Sequence, residues 1–179
     1  TGKGFSKPFC YHIDQFESLR PVFMKVIEYA KAMGLDMIQG DHEDAPGQLE
    51  LNWTYDNVLR NADRLSTYRQ ICAQVAREHG LIACFMTKPF MGVSASGCHT
   101  NMSLWKGGKI KTNKLGHKKL PGVEEVFGYV EGGTNTFMPD TNDMQLPGKI
   151  GLQSIAGIMK HLPALTALGS STVNSYRRL

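Results

Sequence analysis

The apolar positions of the chain predict three helices. In residues 14–34 the apolar side chains recur close to a helical period, and Gly34 is placed to end the helix. The same period returns over residues 56–79, where Gly80 follows as a stop signal. A third helical stretch covers residues 150–168. The pattern therefore predicts two long helices in the first half of the chain and one near its end.

Two prolines fall within these helical segments. Pro21 is expected in the first turn of its helix, where a proline forfeits no helical hydrogen bond, so this helix is expected over about residues 19–33. Pro163 is expected to interrupt or restart the last helix, because a proline inside a helix removes one backbone hydrogen bond.

Four segments have the pattern of strands. Residues 49–54 alternate between apolar and polar side chains, as in a strand with two distinct faces. Residues 35–39 form a short apolar segment that breaks at Gly40. Residues 81–86 are predicted to form a buried strand, and residues 98–105 a second alternating strand.

The order of these elements predicts an α+β fold. The sequence of helix, strand, strand, helix, strand, strand and helix suits a sheet with helices on one side. Residues 106–147 are rich in Gly, Lys, Asn, Pro and Asp. Most of them are predicted to form a long loop that carries a short helix.

Composition and charge are those of a globular protein. The chain has 179 residues, of which 41% are hydrophobic and 20% charged, enough for one ordinary domain or a piece of a larger one. This composition excludes a disordered tail, a collagen-like rod and a coiled coil. The net charge of +4 is spread along the chain, so no nucleic-acid partner is expected.

Nothing in the sequence indicates a membrane or secreted protein. No apolar run approaches the ~18 residues of a spanning helix, and the N-terminus lacks the layout of a signal peptide. The four cysteines are scattered, and Cys72 and Cys84 lie in apolar stretches, as reduced core thiols do. These features predict a cytoplasmic protein without a membrane partner. Thr1 is not an initiator Met, so the start is expected to be internal to a longer chain.

The segment 41–50 carries the strongest chemical signal. Glu43 enters a turn built from Ala-Pro-Gly, and Glu50 leaves that turn on a predicted strand. Such a turn can bring two carboxylates to one site, and Mg2+ and Mn2+ prefer oxygen ligands of this kind. An ordinary acidic surface turn is the alternative explanation.

His99 is the second candidate. It follows a loop of small residues, 94–97, that lets a ligand approach the backbone closely, and it opens a predicted strand. An imidazole beside carboxylates suits Mg2+ or Mn2+ near a phosphate, whereas a core histidine with one hydrogen bond is the ordinary alternative. Zinc is rejected, because Cys98 and His99 are adjacent and the sequence offers no second ligand pair.

Arg177 and Arg178 form the third candidate. Arginine is the residue suited to bidentate binding of a carboxylate, although paired arginines are most often solvated charge. The sequence contains no GxxxxGK[ST] phosphate loop, no GxGxxG after a strand and no GxSxG nucleophile motif.

Four motifs taken in order resemble the glutamine synthetase family. They read Glu-x-Ala-Pro-Gly-Gln-x-Glu (43–50), Phe-Met-Thr-Lys-Pro (85–89), Ser-Gly-Cys-His (96–99) and Asn-Ser-Tyr-Arg-Arg-Leu (174–179). The resemblance runs over nearly the whole chain, from about residue 7. It looks closest to the bacterial branch that includes the γ-glutamylmethylamide synthetases.

The resemblance implies an enzyme that activates glutamate with ATP to γ-glutamyl phosphate, which an amine then attacks. Carried over by position, Glu43 and Glu50 would bind the metal nearer the glutamate, and His99 a second metal near the transferred phosphoryl group. The implied cofactors are two or more Mg2+ or Mn2+ ions per site, with ATP as cosubstrate. Glu43, His99 and Arg178 are the implied catalytic residues, because phosphoryl transfer needs positioning and charge neutralisation.

The resemblance also implies a nucleotide site. Tyr55 matches the aromatic position that packs on adenine, and Ser103 matches a polar nucleotide contact. Asn101 stands where many bacterial members have a second histidine near the nucleotide, and its amide can still form hydrogen bonds.

The implied acid-binding loop departs from the family. The family usually reads Asn-Gly-Ser-Gly, whereas this chain has Ser94, Ala95, Ser96 and Gly97. The Ala95 carbonyl and Gly97 can still line a glutamate pocket, but Ser94 has a shorter reach toward a substrate carboxylate than Asn. Arg178 would grip the substrate carboxylate.

Three functions follow as alternatives. The first is a ligase that uses glutamate and ammonia, in glutamine biosynthesis and nitrogen metabolism. The second is a γ-glutamyl-amine ligase that uses methylamine or a polyamine. The third is a non-catalytic structural or sensing relative. The charged residues at positions 43, 50, 99 and 178 favour an enzyme, because a scaffold has no use for buried unpaired charges.

The resemblance makes residues 1–179 part of a catalytic domain that lacks the family's small N-terminal domain and the C-terminal remainder. A curved antiparallel sheet, forming a partial barrel, is expected to carry Glu50, His99 and Ser103 on its inner face. The two long helices, about 19–33 and 56–79, should cover its outer face. The isolated segment is expected to be inactive, and the parent protein to form a homo-oligomeric ring, a dodecamer by family resemblance.

Overall fold

The computed structural model describes residues 9–113, 127–140 and 146–178. Within them the chain divides into two compact units. The first unit holds residues 9–96, 112–113 and 127–129, and the second holds residues 97–111, 130–140 and 146–178.

The first unit consists of two helices and a β-hairpin. Helix α1 runs over Ile13–Ala32, strand β1 over Met37–His42, strand β2 over Leu49–Trp53 and helix α2 over Val58–Glu78. The two strands pair antiparallel, so that Asp41 stands opposite Glu50. These bounds confirm the two long helices of the first half and the alternating strand between them.

The core of this unit lies between α1, α2 and the hairpin. Val26 and Ala30 of α1 pack with Ile71 and Val75 of α2 in one buried cluster, which also contains Leu35. Apolar residues at i, i+4 spacing on each helix form the faces that meet here. Helix α2 begins after Asn57, whose side chain accepts a hydrogen bond from the amide of Arg60 at 2.9 Å. The packed helices fix the hairpin that carries the acidic turn.

Two expectations in this unit are wrong. Helix α1 begins at Ile13, so Pro21 lies inside it rather than in its first turn. Pro21 is exposed, and water can therefore satisfy the carbonyl of Glu17 that lacks an amide donor. Strand β1 also continues through Gly40 instead of breaking there. The Phe23 ring packs where a Cβ at this position would lie, so the glycine serves packing and not a turn.

The second unit has short strands and one long helix. Strand β3 (Trp105–Lys106) pairs antiparallel with β6 (Thr134–Asn135), and helix α3 runs over Lys149–Gly169. A 3-10 helix, Val173–Arg178, follows. Strands β4 (Lys109–Asn113) and β5 (Phe127–Glu131) form a further two-stranded sheet.

Two predicted strands are not formed. Residues 81–86 and 98–104 have no regular secondary structure, and only Trp105 of the second segment enters a strand. Both strand predictions are therefore wrong: a strand needs a partner ladder, and the described residues supply none beside either segment. Cys84 is correspondingly exposed instead of buried, whereas Cys72 is half-buried.

The α+β class is confirmed, with the described strands grouped in three two-stranded sheets. Within the described residues no single curved sheet joins them, and His99 and Ser103 lie outside strands. The region 106–147 contains strands β4, β5 and β6, and no helix occurs in its described part. Residues 114–126 and 141–145 of this predicted loop lie outside the described residues.

Helix α3 is apolar and exposed. It runs without interruption through Pro163, contrary to the predicted break, and Gly151 is its buried residue. Several large apolar side chains along it are half-exposed: Ile150, Leu152, Ile155, Ile158, Leu162 and Leu165. Among the described residues, no helix is long and apolar enough to cross a membrane.

Candidate active site

The turn between β1 and β2 is built by its own backbone and by one glutamine. The amide of Glu43 donates to the carbonyl of Gln48 at 2.9 Å, and the amide of Gln48 donates to the carbonyl of Ala45 at 2.9 Å. The Gln48 Oε1 atom also accepts from the amide of Ala45 at 3.1 Å. Gly47 has a φ of 75°, a conformation that favours glycine. The Ala-Pro-Gly-Gln sequence therefore closes the turn.

This turn brings the two predicted carboxylates together. The Glu43 side chain hydrogen-bonds to the Glu50 side chain. Burial and, next, this hydrogen bond raise the pKa of the Glu43 carboxyl above its ordinary value of 4.5. Two acidic side chains thus lie next to each other. A divalent cation is the natural occupant of such a pair, because carboxylate oxygens are the ligands that Mg2+ and Mn2+ prefer.

His42 lies beside this pair in the sequence, at the end of β1. Its side chain is 2% exposed, and neither ring nitrogen has a hydrogen-bond partner among the described residues. Alternation along a strand places neighbouring residues on opposite faces, so the face opposite the carboxylates is the buried one. His42 was not among the candidates from the sequence.

The 94–96 loop is attached to the same turn. The Ser94 hydroxyl donates to the Asp44 carboxylate. The Gln48 Nε2 atom donates to the Ala95 carbonyl at 3.2 Å and lies 3.4 Å from the Ser96 hydroxyl oxygen. A carbonyl oxygen accepts two hydrogen bonds, so Ala95 keeps one position for a ligand. Asp44 and Gln48 were not among the candidate residues from the sequence, although Gln48 belongs to the 43–50 motif.

Tyr55 lies just after β2 with its side chain 53% exposed. Its neighbours are held firmly. The amide of Thr54 donates to the carbonyl of Asp36 at 3.0 Å, and Asp56 forms an ion pair with Arg64 at 3.3 Å. An exposed aromatic ring on an anchored backbone is a suitable surface for a flat ligand.

The second unit brings three other predicted residues together. A Cβ atom added to Gly97 would lie 3.2 Å from His99 Nε2 and 3.7 Å from Arg178 Nη2. The imidazole and the guanidinium therefore both approach the backbone at Gly97, and a larger residue there would require the imidazole to shift by a few tenths of an ångström. Arg178 comes from the 3-10 helix Val173–Arg178, which returns the end of the chain to this loop.

Asn101 and Ser103 lie on an exposed segment of the same unit that has no regular secondary structure. The Ser103 hydroxyl accepts a hydrogen bond from the Trp105 indole at 3.0 Å. Over residues 9–113, 127–140 and 146–178, no group of three or more His, Cys, Asp and Glu side chains is close enough to hold a metal ion. The ligand set of Glu43, Glu50 and His99 remains a prediction.

Comparisons with known proteins agree with one another. The family model for the glutamine synthetase catalytic domain matches residues 1–120 and 127–179. The chain is 36% identical over 170 residues to a glutamine synthetase of Rhizobium leguminosarum bv. phaseoli, covering 95% of this chain and 34% of that protein. It is 34% identical over 178 residues to the glutamate–methylamine ligase of Methyloversatilis universalis, covering 99% of this chain and 35% of that protein.

Solved structures give the same result. The chain is similar to GmaS without ligand, with a TM-score of 0.74 and 32% identity over 97% of this chain and 35% of that one. It is also similar to a GmaS/ADP complex, with a TM-score of 0.73 and 28% identity over 100% of this chain and 36% of that one.

The matching relatives are named as carbon–nitrogen ligases, a glutamine synthetase and a glutamate–methylamine ligase. Within that class, the chain belongs to the glutamine synthetase family. It spans about a third of the length of the curated relatives it matches.

Proposed function

We propose that the complete protein carrying these residues is an ATP-dependent ligase that joins glutamate and ammonia through γ-glutamyl phosphate, as a glutamine synthetase does. The proposal rests on family membership and on one structural observation, the hydrogen-bonded pair of Glu43 and Glu50. Because the chain covers only about a third of its relatives, the activity belongs to the complete protein, and the isolated segment is expected to be inactive.

The carboxylate pair supports a divalent-metal site. Two adjacent carboxyl groups supply two oxygen ligands when both are ionised. The donor chemistry therefore fits Mg2+ or Mn2+, with Glu43 and Glu50 as ligands. When bound, the cation neutralises charge on phosphoryl oxygens, which is the main requirement of phosphoryl transfer. His99 is proposed as the ligand of a second such ion.

The cluster at Gly97 supports binding of the acid and its phosphorylated form. Arg178 is proposed to bind the carboxylate of glutamate, since a guanidinium matches a carboxylate with two parallel hydrogen bonds. The close approach of His99 and Arg178 to Gly97 places two groups suited to anions at one stretch of backbone. Ser94 and Ala95 are proposed as further glutamate-binding residues.

The nucleotide is proposed to be bound through Tyr55, with Asn101 and Ser103 as polar contacts. Tyr55 presents a half-exposed ring next to the hairpin that carries the carboxylates. A similar protein, GmaS, has been solved as a complex with ADP. Adenine is flat and apolar on its faces, so an exposed tyrosine ring is a suitable partner for it.

A second candidate function has methylamine as the acceptor in place of ammonia. It is favoured by the similarity to a glutamate–methylamine ligase over 99% of this chain and by the GmaS structures. The contact of Ser94 with Asp44 in a loop that differs from the usual Asn-Gly-Ser-Gly also suits an altered substrate pocket. A polyamine acceptor belongs to the same alternative.

The complete protein is further proposed to act in the cytoplasm and to form a homo-oligomeric ring. Cys10, Cys72, Cys84 and Cys98 are all free thiols, which suits a reducing compartment. The half-exposed apolar residues along α3 suit burial against further protein.

A competition assay distinguishes the candidate acceptors. The complete protein is incubated with glutamate, ATP and Mg2+, together with equal amounts of ammonia, methylamine and one polyamine. The γ-glutamyl products are then separated by mass. The first proposal predicts mainly glutamine, and the second predicts mainly γ-glutamylmethylamide. Absence of every γ-glutamyl product, with ATP bound, would favour the non-catalytic alternative and contradict both proposals.

A further inference from the structure

A buried arginine joins the two ends of the segment that carries Tyr55. The Arg64 Nη2 atom of α2 lies 3.3 Å from the Asp56 carboxylate and 3.5 Å from the Asp36 carboxylate. It also donates to the carbonyl of Gly34 at 3.3 Å. One guanidinium nitrogen therefore connects helix α2 to the segment after α1 and to the segment after β2.

Thr54 extends this connection to the other side of Tyr55. Its amide donates to the Asp36 carbonyl at 3.0 Å, and its hydroxyl donates to the Asp36 carboxylate at 3.3 Å. Asp56 in turn accepts from the amide of Asn57 at 2.7 Å. The residues before and after Tyr55 are thus both fixed, while the Tyr55 ring itself remains half-exposed.

Burial separates this ion pair from an ordinary surface pair. The side chains of Arg64 and Asp56 are only 11% and 6% exposed. Arg60 also pairs with Asp56, at 3.1 Å, but its side chain is 61% exposed. An exposed pair contributes little because water screens it, whereas breaking a buried pair leaves a charge without a partner. Arg64 is therefore the member of this network on which the position of Asp56 depends.

We infer that Arg64 is a positioning residue for the nucleotide, holding the Thr54–Asp56 segment so that the Tyr55 ring forms a fixed surface for the base. This inference rests on the proposed function, in which Tyr55 contacts the nucleotide. A base stacks well on a ring only if that ring is already held in place, because ordering it on binding costs conformational entropy. Arg64 acts through Tyr55 and does not contact the nucleotide.

A merely structural role for Arg64 is the competing explanation, and the base-dependent part of the affinity separates the two. The dissociation constants for ATP and for inorganic triphosphate are measured with the complete protein. The dissociation constant for triphosphate divided by that for ATP, here called the ratio, reports how much the nucleoside part adds to binding. General damage to the fold weakens both ligands and leaves this ratio nearly unchanged, whereas a displaced Tyr55 ring lowers the ratio alone.

The expected results follow from the stacking contribution of one base. Arg64→Ala should lower the ratio about tenfold, with the affinity for triphosphate unchanged, and Tyr55→Ala should lower it to a similar extent. The double variant should fall no further than Tyr55→Ala, because both changes remove the same contact. Arg60→Ala is the matched control and should leave the ratio unchanged.

The inference is overturned if Arg64→Ala leaves the ratio unchanged, which includes the case in which it weakens the binding of ATP and triphosphate equally. It is also overturned if the effects of Arg64→Ala and Tyr55→Ala on the ratio multiply in the double variant. If Arg64→Ala does not fold, Asp56→Asn replaces it. This variant weakens the ion pair while its side-chain oxygen can still accept from the Asn57 amide. The inference is supported if Asp56→Asn lowers the ratio in the wild type and does not lower it further in the Tyr55→Ala variant. An unchanged ratio in the wild type overturns it.

The same experiment distinguishes failure of this inference from failure of the proposed function. Wild-type protein that binds ATP no more tightly than triphosphate would contradict the nucleotide role of Tyr55, and the inference would fall with it. Wild-type protein that prefers ATP, with Arg64→Ala unaffected, would overturn the inference alone.

Discussion

The Glu43 carboxyl hydrogen-bonds to the Glu50 carboxyl across the turn between β1 and β2. Folding thus holds two acidic groups close together, and the repulsion between them lowers the free energy of unfolding. Glu43→Gln should therefore stabilise the metal-free complete protein at pH 7, because it removes repulsion and keeps a hydrogen-bonding group. The expected gain is about 1 kcal/mol, or about 2–4 °C in Tm, in thermal unfolding with chelator present.

The matched control for this prediction is Glu28→Gln. Glu28 is an exposed residue of α1 that pairs with Lys25 at 3.0 Å, so its neutralisation should change Tm little. Excess Mg2+ should reverse the order and make the wild type more stable than Glu43→Gln, since a ligand that binds the folded state stabilises it. A lower Tm for Glu43→Gln without metal would contradict a strained carboxylate pair.

The raised pKa of Glu43 also predicts how metal affinity depends on pH. Burial, and then the hydrogen bond to Glu50, raise this pKa above 4.5, so the proton competes with the cation at a higher pH than for an ordinary glutamate. Mn2+ affinity should therefore fall as the pH falls, beginning above pH 4.5. Titration calorimetry over pH 5–8 measures it. An affinity that is constant down to pH 5 would contradict the role of Glu43.

The raised pKa of Glu43 also determines how the stability of the metal-free protein changes with pH. The folded pKa of Glu43 is raised above the unfolded value. This group therefore contributes stability that is fully present below pH 4.5 and is lost as the pH rises through the folded pKa. The loss should be absent in Glu43→Gln. Chemical unfolding of both proteins in chelator across this pH window compares them.

The carboxylate pair could be predicted from the sequence, because a tight turn of Ala-Pro-Gly leaves little freedom in where its flanking residues lie. Asp44, Gln48 and Arg64 could not be predicted in the same way. Their contacts join segments that are 28 to 50 residues apart in the chain, and no local pattern specifies such pairs.

Gly40→Ala should destabilise the first unit. A Cβ at this position would overlap the Phe23 ring, and Leu51 lies on the other side at 3.0 Å. Such overpacking costs about 1–3 kcal/mol, which lowers Tm by several degrees. Thermal unfolding of the complete protein measures the change. Replacing the Phe23 ring with the smaller leucine side chain, in Gly40→Ala/Phe23→Leu, should recover part of the lost stability.

Gly157→Ala is the control for this substitution. Nothing lies within 4 Å of a Cβ at Gly157 inside helix α3, so alanine should be neutral or stabilising by up to about 1 kcal/mol. Equal effects of Gly40→Ala and Gly157→Ala would mean that the Phe23 contact does not determine the choice of glycine in β1.

Gly40 also illustrates why the fold was only partly predictable. Helical periods of 20 residues or more are strong signals, and the predicted bounds of α2 and α3 lie within two residues of the observed ones, whereas α1 begins six residues before its expected start at about residue 19. A glycine inside a strand has the same local pattern as a turn, and only the distant Phe23 ring decides between them. The predicted strands at 81–86 and 98–105 were wrong for a related reason, because a local sequence pattern does not specify the partner with which a strand pairs.

Gln48→Ala should weaken binding of the acid substrate. The Gln48 amide holds the Ala95 carbonyl at 3.2 Å and contacts Ser96, so its loss releases the 94–96 loop from the turn. We expect KM for glutamate to rise about tenfold, the equivalent of one to two hydrogen bonds, with KM for ATP changed less than about twofold. Steady-state kinetics with the preferred amine measures both constants.

Gln74→Ala is the matched control for this prediction. Gln74 is an exposed residue of α2 that contacts Glu78 and Arg77, far in sequence from the loop, and its removal should leave both constants unchanged. A proportional rise of both KM values in Gln48→Ala would indicate general damage to the turn instead of a released loop.

The central claim is that the complete protein activates the γ-carboxyl group of glutamate by phosphorylation. Glutamate labelled with 18O in that group is incubated with the complete protein, ATP, Mg2+ and the preferred amine, and the released phosphate is analysed by mass. When the amine displaces phosphate from the acyl phosphate, the carbon–oxygen bond breaks and one glutamate oxygen leaves with the phosphate. Phosphate carrying one 18O atom is therefore predicted. Unlabelled phosphate, or no phosphate, would contradict the account.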